Sequence, residues 1–263
     1  MLVFSLLSPL IFLLVFLIGL IVGSFLNVVI LRGEKGERLG GRSRCDACGK
    51  KLQPRELIPI ISFMIQKARC RACGAVLSWQ YPLVEAACAV LFVILTWWFL
   101  ANTSTGYGLL MALVAFPVVA AFIVLVVSDL RFQILPDGAV AVLFLFGVFI
   151  AIGRGTLVSD AMTAVAIALF LGALWFFSDG TWMGLGDAKL VLATSLVIGF
   201  PESVLAFLLA FWLGGIWGAT LLLSGKKHLS SRIPFGPFIL AGALLAYFFS
   251  QQFLGSIGLS TIW

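Results

Sequence analysis

Long apolar runs alternate with short polar segments along most of the chain. A hydrocarbon core about 30 Å thick needs roughly 20 apolar residues of helix to cross it. Runs of about this length predict about eight membrane helices, at approximately 4–30, 82–101, 107–128, 138–153, 161–178, 188–200, 202–224 and 234–253. The sixth run is short, which predicts a half-helix or a tilted segment.

The composition supports the same interpretation. Of the 263 residues, 62% are hydrophobic and only 11% are charged. A soluble domain of this length would need far more polar side chains to cover its core. We therefore predict an all-α polytopic membrane protein with one long polar loop after the first helix.

The positive charges are distributed unevenly between the predicted loops. Eleven of the 17 Lys and Arg residues lie between Arg32 and Arg71. The same face of the membrane would also hold Arg131, Lys189, Lys226, Lys227 and Arg232, against Arg154 alone on the other face. The positive-inside rule then places the long loop in the cytoplasm. Because loop cations of this kind set orientation, we expect no nucleic-acid partner.

Four of the five cysteines lie in the long loop and form the pattern C-x2-C-x21-C-x2-C, from Cys45, Cys48, Cys70 and Cys73. Two such pairs about twenty residues apart are typical of a tetrathiolate zinc site. The loop is too small for a generous core, so a structural zinc ion would stabilise it. The reducing cytoplasm argues against disulfides. Two redox CxxC pairs remain the alternative.

Two acidic residues lie at the cytoplasmic edges of predicted helices, Asp129 in Val-Ser-Asp-Leu-Arg and Asp187 in Gly-Leu-Gly-Asp-Ala-Lys. Ionisable residues beside membrane segments are costly and usually functional. The two helices between them go out and return, so we expect both carboxylates at one face. In a partly dry site they would share a proton, which is the chemistry of an aspartic protease. The alternative for each acid alone is a capping or snorkelled carboxylate.

Other polar residues near these acids receive supporting roles. Gly184 and Gly186 would let the backbone approach a partner or substrate closely, or adopt conformations barred to other residues. Lys189 either snorkels or biases the ionisation of the pair. We expect Asp137 to be a helix N-cap and Asp160, in an outward loop, to be solvated.

Six motifs occur in order along nearly the whole chain. They are Gly23-Ser-Phe-Leu-Asn27-Val-Val-Ile, the paired CxxC loop with Ile58-Pro-Ile-Ile-Ser62, Tyr81-Pro-Leu-Val-Glu85, Ser128-Asp129-Leu-Arg-Phe-Gln-Ile-Leu-Pro136-Asp137, Gly184-Leu-Gly-Asp187-Ala-Lys189-Leu, and Pro234-Phe-Gly-Pro237-Phe. Together they resemble the type IV prepilin peptidases, bacterial enzymes of the GxGD aspartic protease group. One departure lies at 33–36, where relatives often have a Leu-Pro step.

The resemblance implies that Asp129 and Asp187 are the catalytic dyad. It implies cleavage of short basic leaders from prepilins or pseudopilins at the cytoplasmic face of the bacterial inner membrane. Family members with the cysteines also N-methylate the new N-terminal residue with S-adenosylmethionine. Their methylating part is associated with the N-terminal region. No Rossmann-type glycine motif indicates where S-adenosylmethionine would bind.

These implications divide the chain into four parts. They are the first transmembrane helix (1–31), the cytoplasmic zinc loop (32–81, methyltransferase-associated with its adjoining helices), transmembrane helices 2 and 3 (82–128), and the peptidase core (129–263).

Three alternatives stay open. The first is a peptidase without methyltransferase activity. The second is an ion- or proton-coupled transporter, but that class places acids near the midplane in repeated halves with broken helices, and neither is present in the sequence. The third is a non-catalytic assembly component. The presence of Asp129 and Asp187 argues against it.

Overall fold

The computed structural model describes residues 2–224 and 234–256. Apart from two isolated β-bridges, every regular element of these residues is helical. The elements are α1 (Leu2–Glu34), a 3-10 turn (Pro54–Glu56), α2 (Ile61–Ile65), α3 (Gln80–Asn102), α4 (Thr105–Phe132), α5 (Asp137–Arg154), α6 (Leu157–Phe177), α7 (Leu185–Ile198), α8 (Glu202–Leu223) and α9 (Gly236–Ser256). The prediction of an all-α protein is confirmed.

Six of the described helices are long and apolar enough to cross a membrane, namely α1, α3, α4, α5, α6 and α8. The predicted class, a helical membrane protein, is confirmed. The predicted number of about eight membrane helices is approximate. Helix α7 has 14 residues. Its length of about 21 Å is shorter than a hydrocarbon core, as its short run predicts. The predicted loop 225–233, with Lys226, Lys227 and Arg232, lies outside the described residues.

Contacts divide the chain into two units, Met1–Val124 and Leu125–Trp263. In the first unit, α1 packs closely along α3 because two glycines of α1 face the backbone of α3. A Cβ added to Gly19 would lie 2.5 Å from Ala89 Cα, and one added to Gly23 would lie 2.6 Å from Glu85 Cα. Small residues at a crossing point allow membrane helices to approach this closely.

In the second unit, α7 is the central helix. It packs against α5, α6, α8 and α9, and nine of its 14 residues are buried. A helix surrounded in this way needs no apolar stripe on one face. The segment that carries Asp187 is therefore held mainly by protein contacts.

The C-terminal end of α7 is capped by Arg154, the last residue of α5. Its guanidinium donates to the carbonyl oxygens of Leu196 at 2.9 Å, Val197 at 3.1 Å and Ile198 at 2.7 Å. It also pairs with Asp160 at 2.9 Å. Asp160 is only 1% exposed, and it accepts further hydrogen bonds from a nearby hydroxyl and from the backbone beyond α7. The predicted solvation of Asp160 is therefore wrong, because this cap buries it.

Candidate active site and metal centre

Asp129 lies in the last turn of α4 and is 5% exposed. Its Oδ2 accepts a hydrogen bond from the backbone N–H of Gly236 at 2.9 Å. Gly236 is the first residue of α9, so the carboxylate faces the N-terminus of that helix, where free N–H groups and the helix dipole favour an anion. A Cβ added to Gly236 would lie 2.6 Å from the same Oδ2 atom. The close approach therefore requires glycine at this position.

Asp187 lies in the first turn of α7 and is 9% exposed. Its Oδ2 accepts a hydrogen bond from the backbone N–H of Gly184 at 3.3 Å, and Gly184 is the N-cap of α7. The acid therefore lies at a helix N-terminus, as Asp129 does, and it also caps its own helix. Gly184 has φ −80° and ψ 146°, which any residue adopts.

Leu135 connects the surroundings of the two acids. Its side chain lies 3.2 Å from a Cβ placed on Gly186 and 3.2 Å from one placed on Gly236. Asp129 is within electrostatic range of Asp187, and the shared contact with Leu135 makes the two acid-bearing segments neighbours. The structure thus brings together the two predicted acids from the end of α4 and the start of α7.

Lys189 forms an ion pair away from the two acids. Its Nζ lies 2.9 Å from Asp137 Oδ1, and both side chains are largely exposed. Asp137 is the first residue of α5, Pro136 is the N-cap, and within the described ranges no side chain caps that helix. The predicted N-cap role of Asp137 is therefore wrong, because its carboxylate pairs with Lys189 across α5 and α7. An exposed pair of this kind contributes little to stability.

The arrangement of the two acids is suited to general acid–base chemistry. Each carboxylate is buried, and each is within about one turn of a helix end, so the pair lies at the edge of the helices rather than at their middle. The helix N-termini favour one negative charge. A second negative charge beside it in a dry site is unfavourable, so one acid would retain a proton.

The four predicted metal ligands also come together. Their Sγ atoms all lie within 4.8 Å of one another, and the Sγ atoms of Cys45 and Cys73 are 3.9 Å apart. Tetrahedral zinc with Zn–S bonds of about 2.3 Å requires sulfur atoms roughly 3.8 Å apart. The donor set and its spacing therefore fit the ion. The fifth cysteine, Cys88, is fully buried in α3, apart from this cluster.

Each cysteine pair lies on a tight turn of the same design. The N–H of Gly49 donates to the carbonyl of Cys45 at 2.8 Å, and the N–H of Gly74 donates to that of Cys70 at 2.9 Å. Both glycines have positive φ, 70° and 72°, which glycine adopts without strain. Backbone N–H groups of its own turn, first that of Cys73, lower the pKa of the Cys70 thiol to about 6. This favours the thiolate, the form that binds metals, at Cys70. The pKa of Cys73 is instead raised to about 11: the hydrogen bond from the Ala75 backbone lowers it, but hydrogen bonds with the neighbouring thiols and burial outweigh that effect.

Three contributing residues are absent from the sequence prediction of the site. Gly236 lies inside the quoted motif Pro234–Phe238, but its contact with Asp129 spans 107 positions. Leu135 also lies inside a quoted motif, Ser128–Asp137, but the motif assigns it no role, since it is one apolar residue among many. Arg154 gives a usable signal, because it is the one cation assigned to its face and lies beside a membrane segment, where charge is costly.

The described residues therefore form a multi-pass helical membrane protein with two neighbouring buried aspartates and a four-cysteine cluster. Two family models match the chain. Residues 17–99 match the Bacterial Peptidase A24 N-terminal domain, and residues 116–219 match the Type IV leader peptidase family. No solved structure matches.

Relatives named Prepilin leader peptidase/N-methyltransferase match over nearly the whole chain, and three of them illustrate the similarity. That of Bacillus subtilis (strain 168) is 32% identical and is aligned over 91% of this chain and 94% of its own. That of Aeromonas salmonicida (strain A449) is 34% identical over 89% of each chain. That of Burkholderia pseudomallei (strain 1026b) is 30% identical over 92% of this chain and 86% of its own. The chain belongs to the type IV prepilin peptidase family, which confirms the resemblance seen in the motifs. It is a multi-pass protein of the bacterial inner membrane.

Proposed function

We propose that this protein cleaves the leader peptide from prepilins or pseudopilins and then N-methylates the new N-terminal residue. The names of its relatives support both activities. One observation carries the peptidase assignment: Asp129 and Asp187 are buried neighbours, each facing a helix N-terminus.

In the proposed hydrolysis, the ionised aspartate takes a proton from water as the water oxygen attacks the scissile carbonyl carbon. The protonated aspartate donates its proton toward the carbonyl oxygen, and a proton is then delivered to the leaving amine as the peptide bond breaks. We assign Gly236 to positioning Asp129, and Gly184 and Gly186 to the close approach of backbone and side chains around Asp187. Lys189 is assigned to an exposed ion pair with Asp137 beside the site, without a direct part in the hydrolysis.

The substrate class is compatible with the depth of the acids. A prepilin has a basic leader in the cytoplasm followed by a hydrophobic helix, so its scissile bond lies at the membrane surface. Acids within about one turn of a helix end would reach a bond at that level, whereas acids at the bilayer midplane would not. We accordingly infer that this end of the helices, with the cysteine loop, faces the cytoplasm, as the positive-inside rule predicts.

We assign methyl transfer to the cysteine loop (32–81) with its adjoining helices (1–31 and 82–128), and peptide hydrolysis to 129–263. S-adenosylmethionine would supply the methyl group, and no residue of this chain is assigned to its binding. The four loop cysteines would hold one zinc ion. Four thiolates leave no open coordination position, so the ion would be structural and would join the two turns of the loop.

The zinc assignment predicts the metal content of the purified protein. Protein prepared without chelator should contain about one zinc per chain, measured by elemental analysis. The double variant Cys45→Ser/Cys70→Ser should lose it, while Cys88→Ala, which changes the cysteine outside the cluster, should keep it. A wild-type protein free of zinc would contradict the assignment.

A single reaction tests both proposed activities. Purified protein is incubated with a prepilin, with and without S-adenosylmethionine, and the mass of the product's N-terminal peptide is measured. We expect the leader to be removed in both reactions and one methyl group to be added only with the donor. Cleavage without methylation would leave a peptidase alone, and no cleavage in either reaction would contradict the proposed function.

A further inference from the structure

The short helix α2 presents an apolar surface to the outside of the molecule. Ile61, Met64 and Ile65 lie on one side of it, at helical spacing, and Met64 and Ile65 are 70% and 64% exposed. We call these three side chains the α2 face. Three large apolar side chains exposed together on a five-residue helix are not accounted for by peptide hydrolysis, methyl transfer or zinc binding.

The α2 helix is held beside the first turns of a membrane helix. The Ile60 N–H donates to Glu85 Oε2 at 2.7 Å, and Glu85 lies about 8 Å along α3 from the first residue of that helix. On the opposite side of α2, the buried Phe63 packs edge-to-face on Trp79, with ring centroids 5.0 Å apart. Trp79 is the N-cap of α3. These contacts hold α2 at the level where α3 enters the bilayer, rather than at the tip of the loop.

The segment around the α2 face carries only positive charge. Residues 57–79 include Lys67, Arg69 and Arg71 and no acidic residue, and all three cations are exposed. The acid just before this segment, Glu56, is buried, and its carboxylate is engaged by Lys50 and by the backbone of its own turn. Its charge also acts on Arg71, but it is already paired with Lys50, so the segment keeps a net positive charge.

We propose that the α2 face docks into the headgroup region of the bilayer, with Lys67, Arg69 and Arg71 contacting anionic phospholipids. An exposed apolar face at interfacial depth gains free energy by entering the boundary between headgroups and acyl chains. Each Lys or Arg near an anionic surface adds about 1 kcal/mol, or roughly fivefold in affinity. Docking would fix the cysteine loop against the membrane surface. The inference does not depend on the proposed activities, because it concerns only the first unit.

The test uses the full chain in nanodiscs, made either of phosphatidylcholine alone or with about 30% phosphatidylglycerol. Amide hydrogen exchange is measured for peptides that cover 57–69. A benzophenone amino acid in place of Met64 reports the contact directly, since the mass of its photoproduct distinguishes lipid from protein. We expect exchange to slow at least about fivefold with the anionic lipid, and photoproducts with phosphatidylglycerol.

Two variants separate local contact from net charge. Lys67→Glu/Arg69→Glu/Arg71→Glu should abolish the effect of phosphatidylglycerol. The control Arg38→Glu/Arg42→Glu/Lys51→Glu reverses as many exposed cations elsewhere in the loop and should retain it. Met64→Ser/Ile65→Ser, which leaves every charge in place, should also abolish the protection, and its zinc content checks that the loop remains folded.

Equal exchange in both lipids would overturn the proposal. Photoproducts with protein alone would also overturn it, because another part of the chain, a second copy or a bound pilin would then cover the α2 face. Prepilin cleavage measured in detergent is unaffected by either outcome, so failure of this inference is distinguishable from failure of the proposed function.

Discussion

At the acid pair, the sequence pattern predicts the two acidic residues but not all of their hydrogen-bond partners. Asp129 and Asp187 are conspicuous because each is a carboxylate beside an apolar run, where charge is costly. Their hydrogen-bond partners are not conspicuous. Gly184 is three positions from Asp187, but Gly236 is 107 positions from Asp129, and no local pattern predicts a contact at that separation.

Gly236 provides the residue-scale prediction. Gly236→Ala would place a methyl group 2.6 Å from Asp129 Oδ2, so the carboxylate must move away from the start of α9. A displacement of about 1 Å in a catalytic group can reduce the rate roughly hundredfold. We expect a loss of that order in kcat for prepilin cleavage, measured with purified protein.

Gly215→Ala in α8 is the matched control, because no atom of the residues that the structure describes lies within 4 Å of a Cβ placed there. It should cleave at close to the wild-type rate. Wild-type cleavage by Gly236→Ala would show that the observed approach of Asp129 to α9 is not needed for activity.

At the scale of elements, the long helices follow from the sequence and the short ones do not. Runs of about 20 apolar residues are an unambiguous signal, and the bounds of the long helices agree with it to within a few residues. Helix α2 has five residues, too few for a periodic pattern to indicate it. The sequence also does not indicate the cap on α7, because Asp160 resembles a solvated loop acid and its ion pair with Arg154 is seen only in the folded structure.

This cap gives the element-scale prediction. Asp160→Ala removes a buried carboxylate. The Arg154 guanidinium then loses its ion pair, and the Phe200 N–H loses the hydrogen bond that it donates to Asp160. Loss of a buried partner costs about 1–3 kcal/mol in the free energy of unfolding. The change is measured by thermal or denaturant unfolding in a fixed detergent. We expect α7 to loosen first, since Arg154 joins the last three residues of that helix.

Asp137→Ala is the control, because it also breaks an ion pair at the start of a helix in the same unit, but an exposed one. Its cost should stay below about 1 kcal/mol. Equal destabilisation by the two substitutions would contradict a special role for the buried cap.

For the whole molecule, composition and charge distribution carry most of the sequence information. They predict a membrane protein, which is confirmed, and an orientation, which remains a prediction. Arg154 sharpens that prediction: it is the one cation assigned to the outer face, and its guanidinium is engaged by α7 and Asp160. The positive-inside bias is therefore not weakened by a free cation at this position.

Reporter fusions test the orientation. A fluorescent protein joined after Ser178, in the turn that precedes α7, should fluoresce in the cytoplasm, and one joined after Gly155 should not. Alkaline phosphatase at the same two positions should give the opposite pattern, active only after Gly155. A reversed result for both reporters would place the acid pair on the outer face and contradict the proposed access of prepilin leaders.

The central claim is that Asp129 and Asp187 act together to hydrolyse the leader peptide bond. The most direct measurement is the N-terminal mass of a prepilin incubated with purified Asp129→Asn or Asp187→Asn, with Asp137→Asn as the control for an acid nearby in sequence. We predict that each of the first two variants accumulates and keeps its zinc but leaves the leader attached, while the control cleaves normally. Full cleavage by either Asp129→Asn or Asp187→Asn would contradict the account.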